Sequence, residues 1–324
     1  MTSIHTNVGA ISALQTLRSI ASQMQDTQRQ VSSGLRVGMA FDNAAYWSIA
    51  TTMRSDNMAI SAVQDALGLS ASVVGTAYAG MESAIEVMHE VKARLVAAHE
   101  EGVDKNKINA ELDQLKDQLR SIAESASFSG QNWLRMTDNT DPRQNGIKSL
   151  PASFVRDASG SVSVRNIEVD MTAVWYSTDQ VFYLISEDGC DGIITNSGFS
   201  AAAGYSNDWV LIRGEDHPFH KEIILTDETT SEELEEMTVV VEMMTKRMTE
   251  IASMYGSLQS RIDMQSDFAS KLSDSIDSGI GRLVDADMNE ASTRLKALQT
   301  REQLAIQSLS IANVNAENIL TLFR

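Results

Sequence analysis

The fold is decided by residues 49–98, which read IATTMRSDNMAISAVQDALGLSASVVGTAYAGMESAIEVMHEVKARLVAA. Apolar side chains recur there at alternating steps of four and three residues, with polar interruptions at Asp56 and Ser70. A seven-residue period kept for about seven heptads is typical of a helix packed along another helix. The stretch therefore predicts one long amphipathic helix that needs helical partners.

The same period occurs in four further segments on both sides of the first one, at residues 10–35, 108–126, 234–276 and 291–323. Gly102 separates residues 49–98 from 108–126 and is typical of a C-terminal helix stop. The simplest closure pairs the two terminal segments with each other and the inner segments with each other. The sequence therefore predicts a mainly α fold, a long antiparallel coiled-coil or helical bundle formed by both chain ends.

The middle of the chain has a different pattern, and it holds all three prolines, Pro142, Pro151 and Pro218. Its apolar period becomes two, as in SVSVRNIEV at residues 161–169, and short apolar runs follow at 181–185, 209–213 and 222–225. Residues 141–230 carry 6 basic and 14 acidic side chains. We therefore predict a small β-rich inserted outer domain with an anionic surface.

These patterns predict three domains. Residues 1–40 plus 285–324 form a terminal helical domain, residues 41–138 plus 228–284 form a helical bundle, and residues 139–227 form the β-rich insert.

The terminal segments are nearly neutral, with net charges of +2 for residues 1–40 and −1 for residues 285–324. Two helices cannot bury both of their faces alone, so we expect the terminal helices to pack against copies of themselves and to fold only on assembly. The expected polymerisation seam consists of Leu14, Leu17, Met24, Val31, Leu295, Leu298, Leu309, Ile319 and Phe323.

Charge and composition exclude several classes of function. The 324 residues carry a net charge of −18, which repels nucleic-acid phosphates and anionic lipid. No run approaches the roughly 18 apolar residues of a membrane span, and the start of the chain lacks a cleavable signal peptide. The single cysteine, Cys190, forms no internal disulfide and has no evident role.

Three motifs come close to catalytic or metal sites without completing one. His89-Glu90 begins a zinc-protease motif, but Ala93 stands where the second histidine is needed. The HPFH run at 217–220 indicates an exposed turn, and DGCDG at 188–192 lacks the closing glutamate of a calcium loop. We therefore expect no enzyme, no cofactor and no metal.

Several motifs resemble bacterial flagellin. They are VSSGLRV at 31–37 with DNAA at 42–45, FSGQNWL at 128–134, VDADM at 284–288 and NILTLFR at 318–324. They occur in the family's order, and the resemblance covers residues 1–138 and 228–324.

The resemblance implies a structural subunit that is exported unfolded by the flagellar type III system and polymerises outside the cell into the filament used for swimming. The terminal helices would form the inner core, the inner helices the next layer, and the insert the surface. The implied partners are copies of the chain, paralogous flagellins, and the export apparatus, chaperone and cap, with neither nucleic acid nor membrane. Inserts of neighbouring subunits are expected to touch or nearly touch.

Two segments depart from the family pattern. Plant immune receptors recognise the segment that here reads GMAFD at 38–42, followed by Tyr46 and Trp47. The segment contacted by the vertebrate innate receptor corresponds to Val91, Lys92, Ala93, Arg94 and Leu95, of which only the leucine is in register. The expectation is weak or absent activation of both receptors.

Two alternatives stay open on the sequence. A hook–filament junction protein shares the terminal helices but stops growing after a shallow ring. A cytoplasmic coiled-coil signalling protein would be a dimer that needs neither terminal seam. An enzymatic filament is a remote third possibility.

Overall fold

A computed structural model of the chain describes residues 7–136, 146–157, 159–171, 178, 180–186, 191–214 and 219–321, with side chains as far as Val314. Five long or medium helices account for most of it. They are α1 (Val8–Ser33), α2 (Ala44–Ala97), α3 (Lys105–Ser125), α5 (Ser231–Val284) and α6 (Met288–Thr321), and a short α4 (Gly198–Ala202) lies between α3 and α5. The predicted mainly α fold with helices at both chain ends is confirmed.

The strands are short except for one hairpin. They are β1 (Ser127–Phe128), β2 (Gln131–Asn132), β3 (Arg135–Met136), β4 (Ile147–Arg156), β5 (Val162–Asp170), β6 (Ile185–Ser186), β7 (Trp209–Val210) and β8 (Lys221–Glu222). Pairs β1–β2 and β4–β5 are antiparallel, and pairs β3–β6 and β7–β8 are parallel. Of the runs predicted at 181–185, 209–213 and 222–225, only Ile185, Trp209, Val210 and Glu222 lie in strands, each of two residues.

Strand β4 includes Pro151, which the sequence pattern left unassigned. The register of the β4–β5 ladder shifts between Pro151 and Ser153. Proline lacks the N–H that a ladder needs, so it is tolerated in a strand at such an irregularity.

The chain divides into two compact units. The terminal unit comprises Met1–Met58 and Leu272–Arg324, and the central unit comprises Ala59–Lys271. The three predicted domains follow layers of a polymer, and their boundaries stay a prediction.

The central unit is held by one apolar core that α2, α3, α5 and the insert share. Leu67, Met88, Leu112 and Met248 are fully buried in the bundle, and residues of the insert belong to the same cluster. The insert residues in it include Ile167, Val169, Leu184, Ile193, Phe199, Trp209 and Ile223. Within the described residues, the insert is therefore packed into the bundle's core.

Polar contacts fix the insert to the helices as well. The Lys116 ammonium of α3 is buried and donates to the Glu222 carboxylate at 2.9 Å and to the Ile223 carbonyl at 2.7 Å. Glu236 of α5 accepts hydrogen bonds from the Trp209 indole at 2.7 Å and from the Asn207 amide at 2.8 Å.

The expectation that no segment is apolar enough to span a membrane is wrong for helix α2 by length and composition. It is the one helix in the described parts of the chain that is long and apolar enough to cross a membrane. The apolar stretch arises from Ala, Gly, Ser and Val with few charges. Of that apolar stretch 33% is buried inside the protein, and Val74 and Met81 lie in the central core.

Candidate polymerisation surface

Helices α1 and α6 pair with each other inside the terminal unit. Ile20, Leu298 and Ala305 are buried together, and Leu17 and Met24 pack against them. The pairing is antiparallel, because Asn7 near the start of α1 bonds Ala312 late in α6, while Leu35 just after α1 bridges Asp285 just before α6.

The structure places most of the predicted seam residues on this contact or beside it. Leu298 is buried, while Leu17, Met24, Val31, Leu295 and Leu309 are partly buried. Leu14 is 37% exposed. Ile319 lies in α6, but its side chain and Phe323 are outside the described residues. Their role in polymerisation stays a prediction, because helix pairing within one chain already accounts for the burial of several of them.

A second apolar face of each helix is left open in the terminal unit. On α1, Ile11 is 58% exposed and lies nine residues, or two and a half turns, from Ile20. On α6, Ile311 is 65% exposed and lies thirteen residues, about 3.6 turns, from Leu298. Both isoleucines therefore point roughly away from the seam. We call the exposed set the outer apolar faces, namely Val8, Ile11, Leu304, Ile311 and Val314.

The sequence of α6 contains a second set of apolar positions outside its main heptad series. Leu304 and Ile311 are themselves seven residues apart, so they form a second, offset heptad on α6. Pairing with one helix buries one series of apolar positions. A second, offset series on the same helix therefore indicates a second partner.

Two of the motifs that carry the family resemblance meet between the terminal helices. Helix α1 ends at Gly34, whose φ of 73° is left-handed, a common helix C-cap that glycine adopts without strain. The N–H groups of Arg36 and Val37 then donate to the Val284 carbonyl at 2.7 and 3.1 Å, and the Ala286 N–H donates to the Gly34 carbonyl at 2.9 Å. The segments VSSGLRV and VDADM are thus directly hydrogen-bonded.

The receptor segment on α2 is integrated into the central unit. Val91 and Leu95 are completely buried. The Lys92 ammonium pairs with Glu242 of α5, and the Arg94 guanidinium pairs with Glu111 of α3 at 3.0 Å. Ala93 is exposed and carries no polar group. Two side chains of this segment are therefore in the core and two are in ion pairs.

The incomplete metal and catalytic motifs do not gather into a site. No group of three or more His, Cys, Asp or Glu residues able to hold a metal occurs among the described residues, and Cys190 and His217 lie outside them. The expectation of an exposed turn at 217–220 is wrong for His220, which is buried and hydrogen-bonded to the Ser197 hydroxyl at 3.3 Å. Phe219 beside it is 89% exposed.

The fold and these surfaces define a helical subunit with paired chain ends and unsatisfied apolar faces, which is the class of protein that assembles with copies. The profile of the bacterial flagellin N-terminal helical region matches residues 4–139, and that of the C-terminal helical region matches residues 238–323. The chain belongs to the bacterial flagellins, structural subunits of the extracellular flagellar filament that serves motility.

Full-length relatives of the chain are also flagellins. The chain is 47% identical to "Flagellin A" of Rhizobium meliloti strain 1021 and 50% identical to "Flagellin C" of that strain, with 100% of both chains covered. It is 38% identical to "Flagellin" of Brucella melitensis biotype 1, again over 100% of both chains. The filament subunit is therefore favoured over the junction and signalling proteins.

Proposed function

We propose that this flagellin polymerises through the outer apolar faces of α1 and α6, with the α1–α6 pair kept intact inside each subunit. The observation that carries the proposal is that Ile11 and Ile311 stay exposed while Ile20 and Leu298 are buried between the same two helices. Apolar faces of this kind indicate a partner surface.

The near-neutral charge of the terminal segments supports the same surface. Residues 1–40 and 285–324 have net charges of +2 and −1, whereas the whole chain has −18. Copies can therefore approach through these segments with little repulsion. The terminal helices form the inner core of the filament, α2, α3 and α5 the next layer, and the insert the outside.

The resemblance to flagellins implies the partners. Copies of the chain and paralogous flagellins occupy the outer apolar faces in the filament. Before assembly the export apparatus and a chaperone handle the subunit, and the cap places it at the growing end. The protein acts without catalysis. We expect weak or absent activation of the plant and vertebrate innate receptors, because residues 38–42 and residues 91–95 both depart from the family pattern.

Charge substitutions on the outer apolar faces test the proposal. Ile11→Asp and Ile311→Asp each place a carboxylate in the copy-to-copy contact, and Ser12→Asp and Ser310→Asp are the matched controls on exposed neighbouring positions. Purified subunits are induced to polymerise and are followed by sedimentation and electron microscopy. The isoleucine variants should lose filaments while the serine variants keep them, and normal filaments from Ile311→Asp would refute the proposal.

A further inference from the structure

The turn between α1 and α2, together with the first residues of α2, presents four large apolar side chains to solvent. Met39 is 49% exposed, Phe41 70%, Tyr46 40% and Trp47 37%. We call residues 39–47 the aromatic turn. None of the four belongs to the small core of the terminal unit nearest in sequence, whose buried members are Val37, Ala50, Ile280 and Val284. These side chains are therefore available for contact with another surface.

Polar contacts hold the turn in shape. The Asp42 carboxylate accepts hydrogen bonds from the N–H groups of Gly38 and Met39, both at 3.0 Å. Arg29 of α1 donates to the same carboxylate at 3.3 Å, and its guanidinium lies 5.0 Å from the centre of the Phe41 ring. A surface fixed before binding loses less entropy on association.

The chemistry of the turn fits a second copy of the chain. Met, Phe, Tyr and Trp beside an arginine are the residue types enriched at the centres of protein interfaces. The three rings expose on the order of 300 Å², less than the roughly 800 Å² that each partner buries in a stable complex. The turn therefore cannot hold a dimer alone, but it adds to a filament contact, and it continues directly from α1.

An open groove lies on the central unit. It has a volume of about 620 Å³, and small side chains of α2 line it together with Phe128. Those small residues include Ser72, Gly75, Thr76 and Ala79. The groove is open to solvent, and its small side chains leave space above the helix surface.

We propose that the aromatic turn of one copy docks into this groove of a neighbouring copy. A protruding apolar surface that fits a concavity elsewhere on the same chain makes a head-to-tail contact, which produces an open helix when the rotation does not close. The proposal rests on the polymerisation proposed above and adds a second contact outside the terminal helices.

Cross-linking between copies tests the docking. In a Cys190→Ser background, Phe41→Cys and Ala79→Cys subunits are mixed, polymerised and treated with a short bis-maleimide. A cross-linked dimer should form in mixed filaments and be absent from filaments of either variant alone and from the unpolymerised mixture. Filaments that form normally and give no mixed dimer would overturn the docking while leaving the terminal-helix proposal intact.

Ring truncation is the second test. The double variant Phe41→Ala, Trp47→Ala should raise the subunit concentration needed for polymerisation about tenfold or more, as expected for losing interface hot spots. Phe219→Ala is the control, since that ring is exposed in the insert. Circular dichroism establishes that both variants stay folded. An unchanged concentration for the double variant, or an equal rise for the control, contradicts the proposal.

Discussion

The side-chain amide of Asn7 donates a hydrogen bond to the carbonyl oxygen of Ala312 at 2.9 Å, joining residues 305 positions apart. The same asparagine caps α1, because its side-chain oxygen accepts from the Ala10 N–H at 3.0 Å. The two terminal helices are thus paired within one chain almost to their ends. Contacts between copies must therefore use the faces that this pairing leaves open.

The end of α1 requires glycine. Gly34→Ala should destabilise the terminal unit by about 1 kcal/mol, because alanine is strained at a left-handed φ. Gly68→Ala is the control, since added Cβ atoms at both positions meet nothing within 4 Å and only Gly34 has a positive φ. Gly68 lies inside α2, so its variant should be neutral or stabilised by up to about 1 kcal/mol. Urea unfolding measures both, and equal effects would contradict this account.

The buried Lys116 is one of the polar links between α3 and the insert. Lys116→Ala leaves Glu222 and the Ile223 carbonyl without their cation, so we expect a loss of about 3 kcal/mol in the free energy of unfolding. Lys107→Ala is the control, because the Lys107 side chain is 83% exposed and pairs with Asp104 at the surface. Its loss should stay below about 1 kcal/mol. Urea unfolding followed by Trp fluorescence separates the two, and similar losses would contradict a buried link.

Gly80 marks a close approach between α2 and the chain that follows α3. A Cβ at Gly80 would lie 2.6 Å from Leu134 Cδ1 and 2.9 Å from Ala126 Cβ. Gly80→Ala should therefore cost about 1–3 kcal/mol by overpacking. The same change at Gly75, where the nearest atom is 3.9 Å away, should not destabilise. Thermal unfolding of the two variants measures the difference. A Gly80→Ala protein as stable as the wild type would contradict the predicted overpacking.

Glu233 closes a reciprocal cap at the start of α5. The Thr230 hydroxyl accepts from the Glu233 N–H at 3.2 Å, and the Glu233 carboxylate accepts from the Thr230 N–H at 3.1 Å. A hydrogen bond from Lys221 and then the Thr230 N–H hold the pKa of Glu233 below its usual value.

A lowered pKa in the folded state means that the charged form stabilises the fold. The contribution is present above the ordinary Glu range and is lost as the pH falls through the folded-state pKa. Glu233→Gln should therefore weaken the protein at pH 7 and match the wild type more closely near pH 3. Glu232→Gln is the control in the same helical turn. Urea unfolding across this pH range checks the trend, and a pH-independent difference would contradict it.

The sequence predicted the helices well and the insert poorly, for physical reasons. The heptads in α1, α2, α3, α5 and α6 report packing against neighbouring helices, so their bounds follow the apolar residues. Around the insert, β3 pairs with β6 fifty residues further on, and β7 pairs with β8 twelve residues further on. These parallel ladders are only two residues long, so they leave no local period. The burial of His220 likewise depends on tertiary packing beside Ser197.

The partner of each terminal helix could not be predicted from its heptads. A heptad states that a helix has a helical partner, but not whether the partner belongs to the same chain or to a copy. Leu17 and Leu298 were predicted as contacts between copies, and in the structure they pack in one seam within the chain. Ile11 and Ile311 lie off the main heptads and carry the proposed contact instead.

A helical reconstruction of the native filament at side-chain resolution would show which faces of α1 and α6 contact neighbouring copies. We expect each subunit to keep its own α1–α6 pair, with Ile11 and Ile311 within about 4.5 Å of apolar side chains of neighbouring copies and with adjacent inserts touching or nearly touching outside. Open solvent around Ile11 and Ile311, or an α1 that pairs with α6 of another copy in place of its own, would contradict polymerisation through the outer apolar faces.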